Sequence, residues 1–285
     1  MTRLFLLTAL TMTAFAANSV LNRWALLDGE TGPAAFQALR VIAGAICLAV
    51  LLSLRGGLPK LLTPGRAIGT GSLLTYMVGF SFAYVALDAG VGALILFGGV
   101  QVTMFAGALI GGERPPIARW IGSVVAFGGL IWLLWPGATG APPVAASLLM
   151  AAAAIGWGVY SLEGRKAADP LAETGANFLC AAPFALAVWL VLPDGLSASG
   201  TIFAIVSGAV TSGLGYALWY SVLPRLDAAV AALSQLTVPV IAVVGGIIFL
   251  GELASGRLVL ACAVVLGGVA FGVLAGQRSK GSSGS

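Results

Sequence analysis

The chain has 285 residues, 59% of them hydrophobic and only 8% charged, with a formal net charge of +4 and no histidine; its mean hydropathy is +1.04. A soluble domain carries about 45–50% apolar and about 25% charged residues, so 14 Lys+Arg and 10 Asp+Glu cannot clothe this chain for water, and most of its surface must meet lipid. The same figures exclude disordered, collagen-like and disulfide-scaffold chains, the missing histidine removes imidazole bases and metal ligands, and the small, scattered charge is no nucleic-acid footprint. Cys47, Cys180 and Cys262 stand singly in apolar runs without CxxC spacing, as small buried hydrophobes rather than a redox or zinc site.

A membrane helix needs about 20 mostly apolar residues, and ten stretches qualify in chain order. The first, Leu4–Leu26, begins like a signal peptide, with Arg3 and an Ala14-Phe15-Ala16 end; nine further spans favour a retained helix. Ala34–Leu54 follows Asp28-Gly29-Glu30, and Ala67–Leu87 follows Arg55-Gly56-Gly57. Val91–Gly111 and Ile117–Trp135 are parted by Pro115-Pro116. Beyond Pro136-Gly137 and Pro142-Pro143 come Val144–Leu162, Leu171–Leu192, Thr201–Leu223, Ala229–Leu250 and Leu258–Ala275, with Pro193-Asp194-Gly195 before the third of these. Such punctuation falls between elements, and long runs without period-two alternation favour helices over a barrel. Gly281–Ser285 has the composition of an appended linker and is set aside.

With the N-terminus inside, alternation through ten spans collects Arg3, Arg55, Lys60, Arg66, Arg114, Arg119, Arg165, Lys166, Arg225, Arg278 and Lys280 on the inner side. The outer side receives only Arg23 and Arg257. Eleven against two is a strong positive-inside bias. It predicts a bacterial inner-membrane protein with both termini cytoplasmic.

The sequence also matches itself. A shift of 139 residues lays Leu87-Asp88-Ala89 on Leu226-Asp227-Ala228, Gly112-Glu113 on Gly251-Glu252, and Gly128-Gly129 on Gly267-Gly268. Phe15 and Arg23 are eight residues apart, as are Trp157 and Arg165. The expected fold is therefore all-α and integral to the membrane: ten helices in two five-helix repeats, residues 1–136 and 143–276, around a central cavity. An odd number of spans per repeat inverts the second copy. Inverted repeats are the architecture of transporters that rock about a central site. A membrane enzyme would need a reactive cluster, and the chain has neither histidine nor paired intramembrane carboxylates.

Phe15-Ala16-Ala17-Asn18 with Arg23, then Pro33 and Arg40, then Gly111-Gly112-Glu113-Arg114-Pro115 and Gly128-Gly129 carry a resemblance. Trp157-Gly158-Val159-Tyr160-Ser161, Gly251-Glu252 and Gly267-Gly268 continue it through the second half. In this order the chain resembles the drug/metabolite transporter superfamily, in its ten-helix branch with two EamA-type repeats, and within it most the YddG-type exporters of aromatic amino acids. Phe15 stands where that family usually has Trp, and Asn177 replaces the Arg of the second-repeat span. The resemblance implies outward transport of small organic metabolites.

Polar and aromatic residues near mid-span are costly unless they face a cavity or a partner helix. They are Asn18; Tyr76, Phe80 and Tyr84 at four-residue steps; Gln101; Trp157 and Tyr160; Tyr216 and Trp219; and Ser234 and Gln235. The functional reading is an aromatic-walled cavity for a small amphipathic solute, with Asn18, Gln101, Ser234 and Gln235 orienting its polar end. Helix packing is an equal reading of Tyr76, Phe80 and Tyr84, interhelical bridging is open for Gln101, and back-bonding is the commoner fate of Ser234. Trp157, in its Gly156-Trp157-Gly158 notch, favours the cavity. Arg40 either binds a substrate carboxylate or, the favoured reading, holds its helix through Asp28, Glu30 or carbonyls while snorkelling outward. Gly98, Gly99 and Pro239 are symmetry-related hinge candidates. No carboxylate falls at mid-membrane, which argues for facilitated passage of a neutral or zwitterionic solute, with a multidrug or cation exporter as the alternative. No cofactor, metal or nucleotide is implied; the expected partners are the solute and the bilayer, for a monomer or loose dimer.

Overall fold

The computed structural model describes residues 2–57, 59–135, 140–226 and 228–282; Pro136-Gly137, Asp227 and the last three residues of the tail lie outside it. The described residues are helical throughout, without a strand. In order they form α1 (Thr2–Leu26), α2 (Pro33–Arg55), α3 (Arg66–Ala83), α4 (Ala89–Ile110), α5 (Ile117–Leu134), α6 (Val144–Gly164) and α7 (Pro170–Val191). Then follow α8 (Ala198–Ile205), a π-helical segment (Val206–Leu214), α9 (Gly215–Val222), a short 3-10 turn (Leu223–Arg225), α10 (Ala228–Gln235), α11 (Thr237–Leu250) and α12 (Gly256–Ser282).

Among the described residues nine segments are long and apolar enough to cross a membrane. The third expected span is not one of them. Helix α3 opens on Arg66 and carries Thr70, Ser72, Thr75 and Ser81, and it is sheltered by α6, α7 and α2. Arg66 fixes its start, donating to Glu173 Oε1 at 2.6 Å and to Asn177 Oδ1 at 2.9 Å on α7. Neighbouring helices rather than lipid cover its polar side. Elsewhere large apolar residues such as Phe5, Leu54, Ile110, Ile117 and Leu190 are exposed, as a lipid-facing surface requires.

Two expected spans are internally broken, each for a local reason. In the eighth, Ser207 and Thr211 donate to the side-chain oxygen of Asn18 on α1, at 2.8 and 2.5 Å. Gly208 presses so closely on the Arg40 carbonyl of α2 that a Cβ there would clash. Meeting both partners widens the turn into a π segment, a distortion that often marks functional positions. In the ninth, α10 stops at Gln235 and α11 restarts at Thr237. Pro239 lacks an N–H, and its ring opposes the carbonyl four residues earlier, at Gln235. Helix α4, by contrast, runs unbroken through Gly98 and Gly99. There the glycines serve close approach: a Cβ on Gly99 would sit 2.7 Å from Ala154 Cβ of α6.

The two halves of the chain interleave. Helix α3 packs on α6, α2 on α7, α4 on α6 and α11, and α1 on the stretch from α8 to α11. Helix α5 packs along α12. These two touch through glycine: a Cβ on Gly268 would lie 2.8 Å from the Gly122 carbonyl oxygen, and one on Gly122 would strike that of Gly268, the contact by which small residues bring membrane helices together.

One end of the bundle is sealed by polar contacts between the halves. Asp194 accepts from the N–H groups of Ala34 and Ala35 at 2.8 Å each, at the start of α2. Gly32 donates to the Gly195 carbonyl at 2.9 Å. Both carboxylate oxygens of Glu252 accept from the Ala89 N–H, at 2.9 and 3.0 Å, at the start of α4. Arg23 stands 3.9 Å from Glu252 and donates to the Tyr84 and Val85 carbonyls. A carboxylate on the positive end of a helix dipole satisfies otherwise unpaired N–H groups.

Candidate functional site

A cavity of about 460 Å³ occupies the opposite half of the bundle, within the usual size of a small-molecule site. On α6, Trp157, Tyr160, Ser161 and Gly164 line it; on α9 and just beyond, Tyr216, Trp219, Tyr220 and Leu223 do. Spacings of three and four put each set on one helix face. Helix α4 contributes Gln101 and Phe105, α1 contributes Phe15, α10 contributes Gln235, and α5 contributes Arg119 and Ser123. Arg165, exposed just past the end of α6, stands at the rim.

The rings form one connected array. Trp157 stacks on Tyr216 at 5.3 Å and 24° and on Tyr160 at 5.4 Å and 25°. Phe15 meets Tyr216 at 5.7 Å and Trp219, edge-on, at 6.1 Å. Tyr160 donates to the Thr174 hydroxyl at 3.0 Å, which in turn donates to Tyr220 at 3.4 Å, so α6 and α9 are both tied to α7. Among the described residues no Asp or Glu lines the cavity. The surface suits a flat or bulky apolar group, with two amides and two rim guanidinium groups for a polar or anionic end.

Of the residues expected from the sequence, Gln101, Trp157, Tyr160, Tyr216, Trp219 and Gln235 meet at this cavity. Asn18, Tyr76 and Phe80 border a separate void of about 10 Å³, which shares Phe15, Trp157 and Tyr216 with the cavity. Those three rings are the layer between the two spaces. Asn18 is occupied by Ser207 and Thr211 and serves the π segment.

Tyr84 and Ser234 lie at neither space. The Tyr84 ring is fully buried beside Gly92, and its hydroxyl donates to the Ala89 carbonyl at 3.2 Å. Ser234 donates back to Val230 at 2.7 Å, as serines inside helices commonly do. Arg40 does not snorkel and does not pair with Asp28 or Glu30: it is fully buried, and its Nη2 donates to the Tyr76 hydroxyl at 3.1 Å and the Ser212 hydroxyl at 3.4 Å. The guanidinium is held inward by these two hydroxyls and by the Phe80 ring.

Phe15, Arg119 and Arg165 are cavity residues that the mid-span search passed over. Phe15 is visible as the repeat counterpart of Trp157, and Arg165 as that of Arg23. As basic residues at span ends, Arg119 and Arg165 had only a topological meaning in the sequence.

Helices of membrane length around a polar-aromatic cavity define a multi-pass membrane transporter. The EamA-like transporter family matches residues 144–274. An uncharacterized protein of Pseudomonas aeruginosa is 47% identical over 273 residues, 94% of each chain. The aromatic amino acid exporter YddG of Ancylobacter novellus is 29% identical over 94% of this chain and 98% of its own. A probable terminal-alkyne amino-acid exporter of Streptantibioticus cattleyicolor is 26% identical over 90% and 87%. A crystal structure covering 96% of this chain and 97% of its own superposes with a TM-score of 0.68 at 21% identity, which fixes the fold. Residues 144–274 are an EamA-like transporter domain, of the drug/metabolite transporter superfamily. The chain is a membrane transporter and not an enzyme.

Proposed function

We propose that this protein exports small neutral amino acids, foremost those with aromatic or bulky apolar side chains, across the bacterial inner membrane, with both termini in the cytoplasm. The observation that carries this reading is the cavity lining: stacked Trp157, Tyr160 and Tyr216, the amides of Gln101 and Gln235, two arginines and, among the described residues, no carboxylate. The rings hold the apolar part of the solute, and the amides orient its polar end. The names of the Ancylobacter and Streptantibioticus relatives point the same way. Exchange of a proton for a cationic drug calls for a carboxylate along the path, so passage is facilitative. A cation exporter draws support from the exposed ring faces, against which the charges of Arg119 and Arg165 act.

The cycle rests on two inverted five-helix repeats, residues 1–136 and 143–276, with α3 as the third of ten spans. Helix contacts support this by coming in reciprocal sets: α3 on α6 corresponds to α8 and α9 on α1, and α4 on α6 to α10 and α11 on α1. At the sealed end Glu252 sits on the first N–H of α4, at Ala89. The 139-residue shift turns this pair into Glu113 and Ala228, the first residue of α10, at the cavity end, where Glu113 is exposed. Rocking exchanges one contact for the other. The break before Pro239 flexes the second repeat in this state, and Gly98-Gly99 flexes α4 in the opposite one. A single chain carries the whole cavity, so a monomer or loose dimer suffices.

Counterflow of labelled phenylalanine, threonine and lysine into amino-acid-loaded liposomes, with and without a pH gradient, tests the reading. Phenylalanine uptake indifferent to the gradient is expected. No amino-acid uptake, or uptake only when a proton gradient is imposed, overturns it in favour of the cation exporter.

A further inference from the structure

Arg40 is a fully buried charge with no counter-charge among the described residues. Its side chain is fully buried on α2, with Cζ 4.8 Å from the Phe80 ring centroid and 5.6 Å from that of Tyr76. Only Nη2 is hydrogen-bonded, to two neutral hydroxyls; Nε and Nη1 are buried without a partner. Ion pairs formed by Arg23, Arg55, Arg66 and Lys166 do not involve Arg40. Of the acids at the sealed end, Asp194 is committed to the start of α2 and Glu252 to the start of α4. A guanidinium buried without its anion is costly, and ring faces offset only part of that. For holding a helix, a neutral side chain would serve better.

A second orphan lies close by. The Ser19 hydroxyl is also buried without a partner, and Ser19, Tyr76 and Phe80 all border the small void. The two rings that touch the guanidinium are thus walls of that void, and the charge lies one side chain behind it. The void itself is closed from the cavity by Phe15, Trp157 and Tyr216, the rings against which a solute in the cavity would rest.

We propose that Arg40, with Tyr76 beside it and Ser19 on the wall of the void, is the carboxylate subsite of the transported solute, reached when the layer of Phe15, Trp157 and Tyr216 parts. The inference rests on the amino-acid reading above. It makes the buried charge a transient partner of the cargo: the carboxylate finds unsatisfied N–H groups at mid-passage, while the apolar side chain stays against Trp157 and Tyr216. A solute of the same shape without the carboxylate leaves Arg40 unpaired and is refused. This supplies selectivity without a proton-exchanging acid.

The test compares L-phenylalanine with L-phenylalaninamide, which keeps the ring and ammonium but lacks the carboxylate, as competitors of labelled-phenylalanine counterflow by the full-length protein in liposomes. The wild type should prefer the acid by about tenfold, the effect of one charge-assisted hydrogen bond. In Arg40→Gln the preference should fall to about one, and in Tyr76→Phe, which removes one of the two hydroxyls on Nη2 but keeps the ring, it should change without being lost. Because the readout is a ratio within one variant, loss of folded protein does not imitate the effect. Should Arg40→Gln yield no carrier, Arg40→Lys decides, a reduced preference supporting the assignment and an unchanged one overturning it. A wild type that takes up phenylalanine with no preference overturns the subsite alone, as does a preference that survives Arg40→Gln. A wild type that transports no amino acid overturns the amino-acid reading beneath it. Thermal stability that depends on chloride through Arg40, with no acid preference, identifies a resident halide and also overturns the assignment.

Discussion

Trp157 is the residue on which the cavity turns, because it touches Tyr76, Tyr160 and Tyr216 and walls both spaces. Its ring is only partly buried and faces open volume, so truncation removes binding surface more than core. Trp157→Ala is expected to raise the half-saturation concentration for phenylalanine at least tenfold, since aromatic pairing adds about 0.5–1.5 kcal/mol beyond the area lost. Folded yield by size-exclusion chromatography should stay near that of the wild type, and Trp157→Phe should fall between. Trp157, Gln101 and Tyr216 were legible in the sequence because their polar or aromatic character contrasts with the surrounding apolar span. Tyr84 and Ser234 look alike by that criterion, yet each is satisfied by a nearby backbone carbonyl, of Ala89 and Val230, and needs no cavity. The fate of Arg40 was hidden because whether a long side chain snorkels depends on which groups meet it inside, and one of them, Ser212, is 172 residues away.

At the scale of elements, the ends of helices carry the polar chemistry. Glu252 is half-hidden between α11 and α12, and burial raises its pKa above the ordinary 4.5, with nearby Asp88 adding to the rise while the Ala89 N–H and Arg23 pull it back. A carboxyl whose folded-state pKa exceeds its unfolded value favours folding when protonated. That contribution is complete below pH 4.5 and is lost as the pH rises through the raised value. Glu252→Gln, permanently neutral, should flatten this part of the profile of thermal unfolding against pH, and a variant as pH-dependent as the wild type would contradict the assignment. The break at Leu236 makes a second prediction. Pro239→Ala restores the missing N–H and should let α10 and α11 join into one helix. Folded yield should hold or rise while counterflow falls severalfold. Where spans begin and end was readable from Gly, Pro and charge punctuation. The π segment was not, because its cause is an Asn on another helix reaching Ser207 and Thr211, and α3 fell short of membrane hydropathy because protein replaces lipid around it.

For the whole molecule, the asymmetry between its two ends is the informative quantity. One end is tied by Asp194 and Glu252, both from the second half of the chain, to helices of the first half; the other holds a cavity with Arg165 at the rim. If the ends exchange roles during transport, Glu113 must approach the start of α10 in the opposite state. Paired Glu113→Cys and Ala228→Cys substitutions, in a chain cleared of Cys47, Cys180 and Cys262, should form a disulfide that rises with added substrate and arrests counterflow. Cross-linking indifferent to substrate would count against the exchange. The self-match at 139 residues is the sequence feature that points to this pairing, while which end is closed was not legible there, because both states would use the same residues.

The glycine seam between α5 and α12 has a consequence of another kind. Helix α5 closes the first half of the chain, α12 closes the second, and they meet backbone to backbone at Gly122 and Gly268. Interfaces of this sort form between helices that share no covalent link, since lipid leaves close packing as their chief attraction. The connection between Trp135 and Pro142 is then a convenience of synthesis rather than a condition of assembly. Two separately translated polypeptides divided there should find each other in one membrane and restore counterflow. Gly122→Leu, which drives a side chain into the opposing backbone, should abolish that reunion while weakening the intact chain far less.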